Sequence, residues 1–153
     1  MAELRSGTVM LDLATTASVA GTLFQEYMAG MPAGDDFATY SLLVVFGESS
    51  PTTFSERMGM PLTTASDRLN RLVTKGHAER VRNPMDARSF LFRLTDEGWA
   101  AFREAQPKFV ELMDHLTERL EMPQEEIRVA LQALERAMRE QLADLNEKKT
   151  PAP

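Results

Sequence analysis

The sequence contains no cysteine, and this single absence excludes several kinds of chemistry. Without thiols the protein has no disulfide framework, no thiolate–zinc site, no cysteine nucleophile and no redox-sensing thiol. The two histidines, His77 and His115, are too few for a histidine-rich zinc site. We therefore expect neither a metal ion nor a cofactor.

Long apolar runs are also missing. No stretch approaches the roughly 18 consecutive apolar residues of a membrane-spanning helix, and no charged-then-apolar leader opens the chain. The sequence thus predicts a cytoplasmic protein without a membrane partner.

The motifs of common enzymes are absent as well. We find no Ser/His/Asp order, no phosphate-cradling glycine loop and no metal-ligand spacing. The adjacent carboxylates of Glu125 and Glu126 follow a predicted helix start at Pro123, where the helix dipole favours negative charge. We interpret the protein as a non-enzyme.

The sequence is instead rich in helical periodicity at both ends. Apolar residues recur at steps of three and four over residues 9–28, and a breaker cluster follows at residues 30–34. A second helix is predicted to start near Asp35 or Asp36 and to run until Gly47. Thr95 is a predicted cap for a helix that contains Pro107, and a last helix follows Pro123.

The middle of the chain has a different pattern. Ser50 and Pro51 read as the cap and first residue of a short helix that ends near Gly59. A second helix is predicted over residues 61–75, and Gly76 closes it as a left-handed cap. His77, directly after this cap, is predicted at the surface. Two strands, Ala78–Arg82 and Phe90–Leu94, complete a helix-turn-helix with a hairpin wing.

These elements predict a mainly α fold with a small β-hairpin wing, in which terminal helices flank a winged helix-turn-helix. We assign residues 1–34 to an N-terminal dimerisation helix, 35–95 to the DNA-binding lobe, 96–146 to C-terminal dimerisation helices and 147–153 to a disordered tail. The terminal helices carry wider apolar faces than a lobe of this size covers, so we expect a homodimer.

Charge is distributed unevenly along the chain. The net charge of −6 argues against sequence-independent binding of nucleic acid. Residues 55–93, however, hold eight basic and four acidic side chains, a net charge of +4, and the remainder holds nine basic and nineteen acidic ones, a net charge of −10. Because the positive segment coincides with the predicted helix-turn-helix and wing, we expect double-stranded DNA as the partner.

The helix at residues 61–75 has two faces at about 100° per residue. Its apolar side is predicted to be core and carries Leu62, Ala65, Leu69, Leu72 and Val73. Its polar side offers hydroxyl, amide and charged groups to bases and phosphates. The candidate DNA contacts on this recognition helix are Thr63, Thr64, Asp67, Arg68, Asn70 and Arg71.

Two stretches resemble a known family. The run RLVTKGHAER at residues 71–80, followed by NPMDAR at residues 83–88, resembles the "RL…KG.VER…P.D.R" signature of the multiple-antibiotic-resistance regulator (MarR) family. The run FRLTDEG at residues 92–98 resembles the family's "V.LT.EG" stretch. Members of this family are bacterial winged-helix repressors, and the flanking helices match the family's layout in order and length.

The resemblance implies a homodimeric repressor that binds a pseudo-palindromic operator. Each recognition helix would enter a major groove, and each wing would reach an adjacent minor groove. The family's D-x-R motif matches Asp86 and Arg88. Arg88 would enter the narrow groove, and Asp86 would fix the wing by a salt bridge or turn hydrogen bonds. The candidate DNA contacts of the wing are Arg82, Asn83, Asp86 and Arg88.

Two positions depart from the family pattern. Pro61 stands where many members have a Ser or Asp cap, and Asp67 stands where many have arginine or another polar donor. We hypothesise that Asp67 orients Arg71, one helical turn later, rather than reading a base. Both departures favour an alternative function, a winged-helix protein-interaction module that has lost specific DNA binding.

The resemblance also implies a small-molecule effector, often aromatic and anionic, whose binding releases DNA. Aromatic candidates for its pocket are Phe24, Tyr27, Tyr40, Phe46 and Trp99. The simpler interpretation is that most of them belong to the apolar core, and nothing in the sequence selects an effector.

Overall fold

The computed structural model describes residues 2–147, with side chains described from residue 8 to residue 146. Six helices and a two-stranded antiparallel hairpin make up this part of the chain, of which about 71% is helix. The fold class is therefore the predicted one, a winged helix with long helices at both ends. The predicted disordered tail lies outside the described residues, except that Glu147 is the last residue of the final helix.

The chain divides into two compact units, residues Met1–Glu111 and Leu112–Pro153. The first unit contains α1 (Ala2–Tyr27), a 3₁₀ turn (Gly34–Asp36), α2 (Phe37–Phe46), α3 (Pro51–Met58), α4 (Leu62–Thr74), β1 (Ala78–Arg82), β2 (Phe90–Leu94) and most of α5 (Asp96–Thr117). The second contains the end of α5 and α6 (Gln124–Glu147). Among the residues described, we find no helix with the length and apolar character needed to cross a bilayer.

Local capping explains where the short helices begin and end. The Ser50 hydroxyl accepts a hydrogen bond from the Thr53 amide at 3.1 Å, and Pro51 occupies the first position of α3. α3 ends at Gly59, and the turn after α4 places Gly76 at φ +74°, a region that glycine adopts without strain. The predicted caps at Ser50 and Gly76 and the predicted end of α3 near Gly59 are confirmed.

Burial of one face fixes the rotation of α4. Ala65, Leu69 and Leu72 are fully buried in a core that also holds Phe54 and Tyr40. The prediction that Leu62 belongs to this core is wrong, because its side chain is 50% exposed. Leu62 lies in the first turn of α4, beside a groove that the hairpin leaves open.

An aromatic cluster joins three helices of the first unit. The ring of Phe37 on α2 lies 5.9 Å from Phe24 on α1, 5.2 Å from Phe102 and 4.8 Å from Phe109, both on α5. Offset and tilted ring pairs at these distances add attraction beyond the burial of their area. The cluster therefore holds α2, which precedes the helix-turn-helix, between α1 and α5.

The hairpin has the boundaries that the sequence predicts. β1 and β2 pair antiparallel, with Ala78 opposite Leu94 and Arg82 opposite Phe90. Ser49 extends the pairing, because its amide donates to the Phe92 carbonyl at 3.1 Å and its carbonyl accepts from the Phe92 amide at 2.9 Å. The wing is thus attached by backbone hydrogen bonds to the segment that leads into α3.

The turn between α4 and β1 is tied to α2 and α5. His77 is half-buried, and its Nδ1 atom lies 2.6 Å from the Tyr40 hydroxyl, so the predicted surface position is wrong. The Thr95 amide donates to the His77 carbonyl, and the Thr95 hydroxyl donates to the Gly76 carbonyl. The same hydroxyl accepts from the Gly98 amide, which confirms Thr95 as the cap of α5.

Both terminal helices leave large apolar side chains exposed. On α1 these are Val9, Met10, Leu11, Val19 and Leu23, and on α6 they are Val129, Leu131, Leu142 and Leu145. Each helix considered alone presents more apolar surface than solvent favours.

Gly98 offers a test of the packing between α5 and the turn at His77. A Cβ atom at Gly98 would overlap the His77 carbonyl oxygen, so Gly98→Ala requires a backbone shift. We expect this variant to lower the free energy of unfolding by about 1–3 kcal/mol, measured by urea denaturation at one fixed protein concentration.

The matched control is Gly21→Ala on α1, where the added Cβ atom meets nothing within 4 Å. Because alanine favours helix over glycine, this variant should be neutral or more stable by up to about 1 kcal/mol. Equal destabilisation by both substitutions would contradict the account.

Candidate nucleic-acid interface

A groove separates the recognition helix α4 from the wing. It has a volume of about 620 Å³ and lies beside the N-terminus of α3. It brings together four predicted contacts, Asn70 of α4 and Asn83, Asp86 and Arg88 of the wing. The other lining residues are Ser50, Pro51, Thr52, Leu62, Ser66, Arg80, Ser89, Phe90 and Phe92.

The N-terminal half of α4 presents polar side chains away from the core. Thr63, Thr64 and Asp67 are exposed, and Arg68 is half-buried. Thr63 and Asp67 lie on the side of the helix opposite the buried Leu69 and Leu72 positions, since about 100° separates successive residues, and Thr64 and Arg68 lie at the edge of that side. Hydroxyl groups near a helix N-terminus can donate to both base edges and phosphates.

Asn70 is engaged within the protein. Its Oδ1 atom accepts a hydrogen bond from the Arg80 guanidinium at 2.6 Å, and that guanidinium lies 5.5 Å from the centre of the Phe92 ring. Arg80 was not among the predicted site residues, although it belongs to the basic segment of residues 55–93. The contact links the recognition helix to β1.

Arg71 is held by an acid that the sequence did not indicate. Its Nη2 and Nε atoms donate to Asp36 Oδ1 at 2.5 and 3.2 Å, and Lys75 Nζ donates to Asp36 Oδ2 at 3.0 Å. The hypothesis that Asp67 orients Arg71 is therefore wrong. Local periodicity could suggest only the acid at i−4, whereas Asp36 precedes Arg71 by 35 residues.

The Asp36 carboxylate is buried yet charged. Its side chain is 2% exposed, and burial alone would raise its pKa. Hydrogen bonds from Arg71 and Lys75, together with their charges, outweigh burial and hold the pKa of Asp36 below its usual value. Asp36 also precedes α2 directly, but its side chain does not cap that helix.

The tip of the wing is fixed by its own side chains. Asp86 Oδ1 accepts from the Arg88 amide at 3.0 Å, and Asn83 Oδ1 accepts from the Met85 amide at 3.0 Å. Asn83 also donates through Nδ2 to the Ser89 hydroxyl at 2.9 Å. Of the two roles expected for Asp86, the structure contains the turn hydrogen bond rather than a salt bridge.

The arginines of the wing differ in how they are compensated. Arg93 pairs with Glu79 at 2.7 Å and with Glu48 at 3.4 Å, and these carboxylates raise the pKa of its guanidinium. Arg82 and Arg88 are exposed and form no ion pair with any residue from 8 to 146. Arg82 and Arg88 thus place two uncompensated positive charges near the tip of the wing.

The aromatic candidates for an effector pocket do not form one site. Phe24 and Phe46 line a cavity of about 400 Å³ together with Phe37, Ala38, Ser41, Leu42, Val45, Met58 and Phe109. Tyr27 lies 5.8 Å from the Lys108 ammonium, and Trp99 lines a separate groove with Glu79 and Arg93.

Tyr40, the remaining aromatic candidate, is fully buried and bonded to His77. Burial, with a contribution from the charge of Asp36, raises the pKa of Tyr40 to about 12. Its hydroxyl is therefore neutral near pH 7, and its position makes it a structural link between α2 and the turn that follows α4.

No protein-family model matches the chain, and no curated protein matches it either. Solved structures do match. The PcaV transcriptional regulator from Streptomyces coelicolor, solved with its natural ligand, shares 25% identity over 82% of this chain and 89% of its own, with a TM-score of 0.66.

Two further structures extend the comparison. Wild-type MarR from E. coli shares 24% identity over 82% of this chain and 93% of its own, with a TM-score of 0.63. The M. tuberculosis regulator MOSR, solved with DNA, shares 19% identity over 85% and 95%, with a TM-score of 0.74. The structure thus matches MarR-type transcriptional regulators over more than four fifths of its length.

The Asp86 turn predicts a measurable difference between two substitutions. Asp86→Ala removes the acceptor of the Arg88 amide, so hydrogen exchange at that amide should accelerate. Asp86→Asn keeps an oxygen acceptor and should retain most of the protection. Indistinguishable exchange in the wild type and the alanine variant would refute this role for Asp86.

The Asp36 ion pairs predict a pH dependence of stability. Because the folded-state pKa is lowered, their stabilisation is fully present above about pH 4 and is lost as pH falls through the folded-state pKa. The stability advantage of the wild type over Asp36→Asn in urea denaturation should therefore be larger at pH 7 than at pH 3. An advantage that is equal at both pH values would contradict the assignment.

Proposed function

We propose that this protein is a DNA-binding transcriptional regulator of the MarR family, a repressor that binds a pseudo-palindromic operator as a homodimer in the bacterial cytoplasm. The observation that carries the proposal is the groove between α4 and the wing, with Ser66 and Asn70 of α4 on one side and Arg88 of the wing on the other. A groove of this kind fits a phosphate backbone between a major and a minor groove.

The recognition helix supplies base contacts in this proposal. Thr63 and Thr64 lie at the exposed N-terminal turn of α4, and Arg68 follows one turn later. Asn70 contributes indirectly, because its oxygen holds Arg80. Asp67 is exposed on the same helix, and its carboxylate would repel DNA phosphates. In this proposal it either opposes docking positions that bring a phosphate close to it or accepts a hydrogen bond from a cytosine amino group.

The wing supplies minor-groove contacts. Arg88 and Arg82 are exposed near its tip, and the backbone there is fixed by Asp86 and Asn83. A preorganised arginine loses less entropy on entering a narrow, electronegative groove than one on a mobile loop.

In this proposal a homodimer holds two DNA-binding lobes at a fixed distance from each other. We propose residues 1–34 and 96–146 as the dimerisation helices and residues 35–95 as the DNA-binding lobe. The exposed apolar side chains of α1 and of α6 support a second copy of the chain as the occupant, since an isologous interface would bury both sets.

An apolar effector site is a second part of the proposal. The 400 Å³ cavity is lined by residues of α1, α2, α3 and α5, and among the described lining residues Ser41 is the one that bears a hydroxyl group. We propose that a small aromatic ligand enters it between Phe24 and Phe46. Because Met58 of α3 is part of the lining, such a ligand would displace the helix that packs beside α4 and lower DNA affinity.

The function is tested by selecting bound fragments from genomic DNA and measuring mobility shifts over a range of salt concentrations. A repressor should enrich one site and show a steep fall of affinity with salt. Enrichment of no fragment would favour the protein-interaction module that keeps the fold without specific DNA binding.

Arg88→Ala tests the wing directly. We expect it to weaken operator binding at least tenfold and to reduce the slope of log affinity against log salt by about 1, because one phosphate or groove contact is lost. The matched control is Arg103→Ala, which removes the same charge from an exposed position on α5. Equal affinities of the Arg88 variant and the control would refute the wing assignment.

A further inference from the structure

Two cations at the C-terminal end of the recognition helix share one buried carboxylate, which cancels one of their two positive charges. Arg71 and Lys75 both donate to the carboxylate of Asp36, at distances of 2.5 to 3.2 Å. Both cations remain accessible, since 56% of the Arg71 side chain and 36% of the Lys75 side chain are exposed. They therefore lie where a polyanion can approach, but their charges are shared with a buried acid.

The backbone that carries Asp36 is held by contacts of its own. It ends the 3₁₀ turn Gly34–Asp36, which lies against the end of α1. A Cβ atom at Gly34 would overlap the Met28 carbonyl oxygen, and Met28 is itself buried. The backbone thus brings the carboxylate beside α4, and the long side chains of Arg71 and Lys75 extend to meet it.

Free and paired cations differ in what they contribute to DNA binding. Each lysine or arginine that neutralises a phosphate releases counterions, which adds affinity for any sequence and about 0.9 to the salt slope. A cation that is bonded to a buried carboxylate is held beside that acid, whose negative charge offsets part of its attraction to phosphate, and moving the cation away would leave the carboxylate uncompensated. Asp36 therefore reduces the number of cations available for sequence-independent contacts.

We propose that Asp36 is a specificity-determining residue that withholds Arg71 and Lys75 from the DNA phosphates. This inference rests on the proposed function. By limiting affinity for arbitrary sequences, the buried acid leaves discrimination to the exposed N-terminal face of α4 and to the wing. If Asp36 only stabilised the fold, removing its charge would loosen α4 and weaken binding to every DNA, whereas the proposal predicts tighter binding to arbitrary sequences.

The test compares Asp36→Asn with Asp35→Asn. The first substitution keeps nearly the shape of the native side chain and removes its charge, and Asp35 is an exposed neighbour whose replacement changes the net charge equally. Affinity is measured by fluorescence anisotropy for the selected operator and for a scrambled duplex, each over a range of salt concentrations.

We expect Asp36→Asn to bind the scrambled duplex at least threefold more tightly than the wild type and to steepen its salt slope by about 1 to 2. The ratio of operator to scrambled affinity should fall, while Asp35→Asn leaves that ratio and the slope close to wild type. An Asp36 variant with the salt slope and ratio of the Asp35 control would overturn the proposal, as would weaker binding to both duplexes.

Lys75→Gln keeps the proposal testable if the Asp36 variant does not fold. Because Lys75 is paired in the wild type, its removal should leave the salt slope for scrambled DNA unchanged. A slope reduced by about 1 would mean that Lys75 contacts phosphate, and it would overturn the proposal.

The wild-type measurements separate this inference from the function on which it rests. If the wild type binds neither duplex, the proposed function fails and the inference fails with it. If the wild type prefers the operator and Asp36→Asn behaves like Asp35→Asn, the function stands and only the role of Asp36 is refuted.

Discussion

Complete burial of one face of α4 is the constraint on which the rest of the interface depends. Ala65, Leu69 and Leu72 fix the rotation of this helix about its axis, so the polar residues of its first turns must face outward. Three further contacts fix its ends and its neighbour. Arg80 reaches Asn70 from the wing, Asp36 holds the C-terminal half, and His77 ties the following turn to Tyr40. The groove beside the wing has a defined shape because these contacts act on one rigid helix.

The distribution of charge also depends on contacts between distant parts of the chain. The net charge of −6 includes a segment, residues 55–93, with a net charge of +4. In the structure some cations of this segment are paired with carboxylates and others are not. Arg71, Lys75 and Arg93 are compensated by carboxylates, whereas Arg82 and Arg88 are exposed at the wing. Counting charges in the sequence therefore overstates the uncompensated positive surface, part of which lies at the wing, where the proposed minor-groove contact would be made. Acidic surroundings and a buried acid both favour selectivity over strong binding to arbitrary DNA.

Local signals in the sequence predicted the elements well, and long-range contacts explain the errors. The helix ends could be located because capping involves residues close together in the sequence, here Ser50, Gly59, Gly76 and Thr95. The partners of Arg71 and His77 lie 35 and 37 residues away, and no periodicity indicates them. Leu62 was misplaced for a related reason, since helical angle alone cannot tell where the neighbouring hairpin ends.

The central claim is that two copies of α4 and the wing bind one DNA duplex, and a hydroxyl-radical footprint of the selected fragment tests it most directly. The account predicts two protected segments related by a pseudo-two-fold axis, with major-groove contacts about one helical turn or a multiple of it apart and minor-groove protection flanking each. A single protected segment without symmetry, or protection that spreads evenly along the fragment, would contradict it.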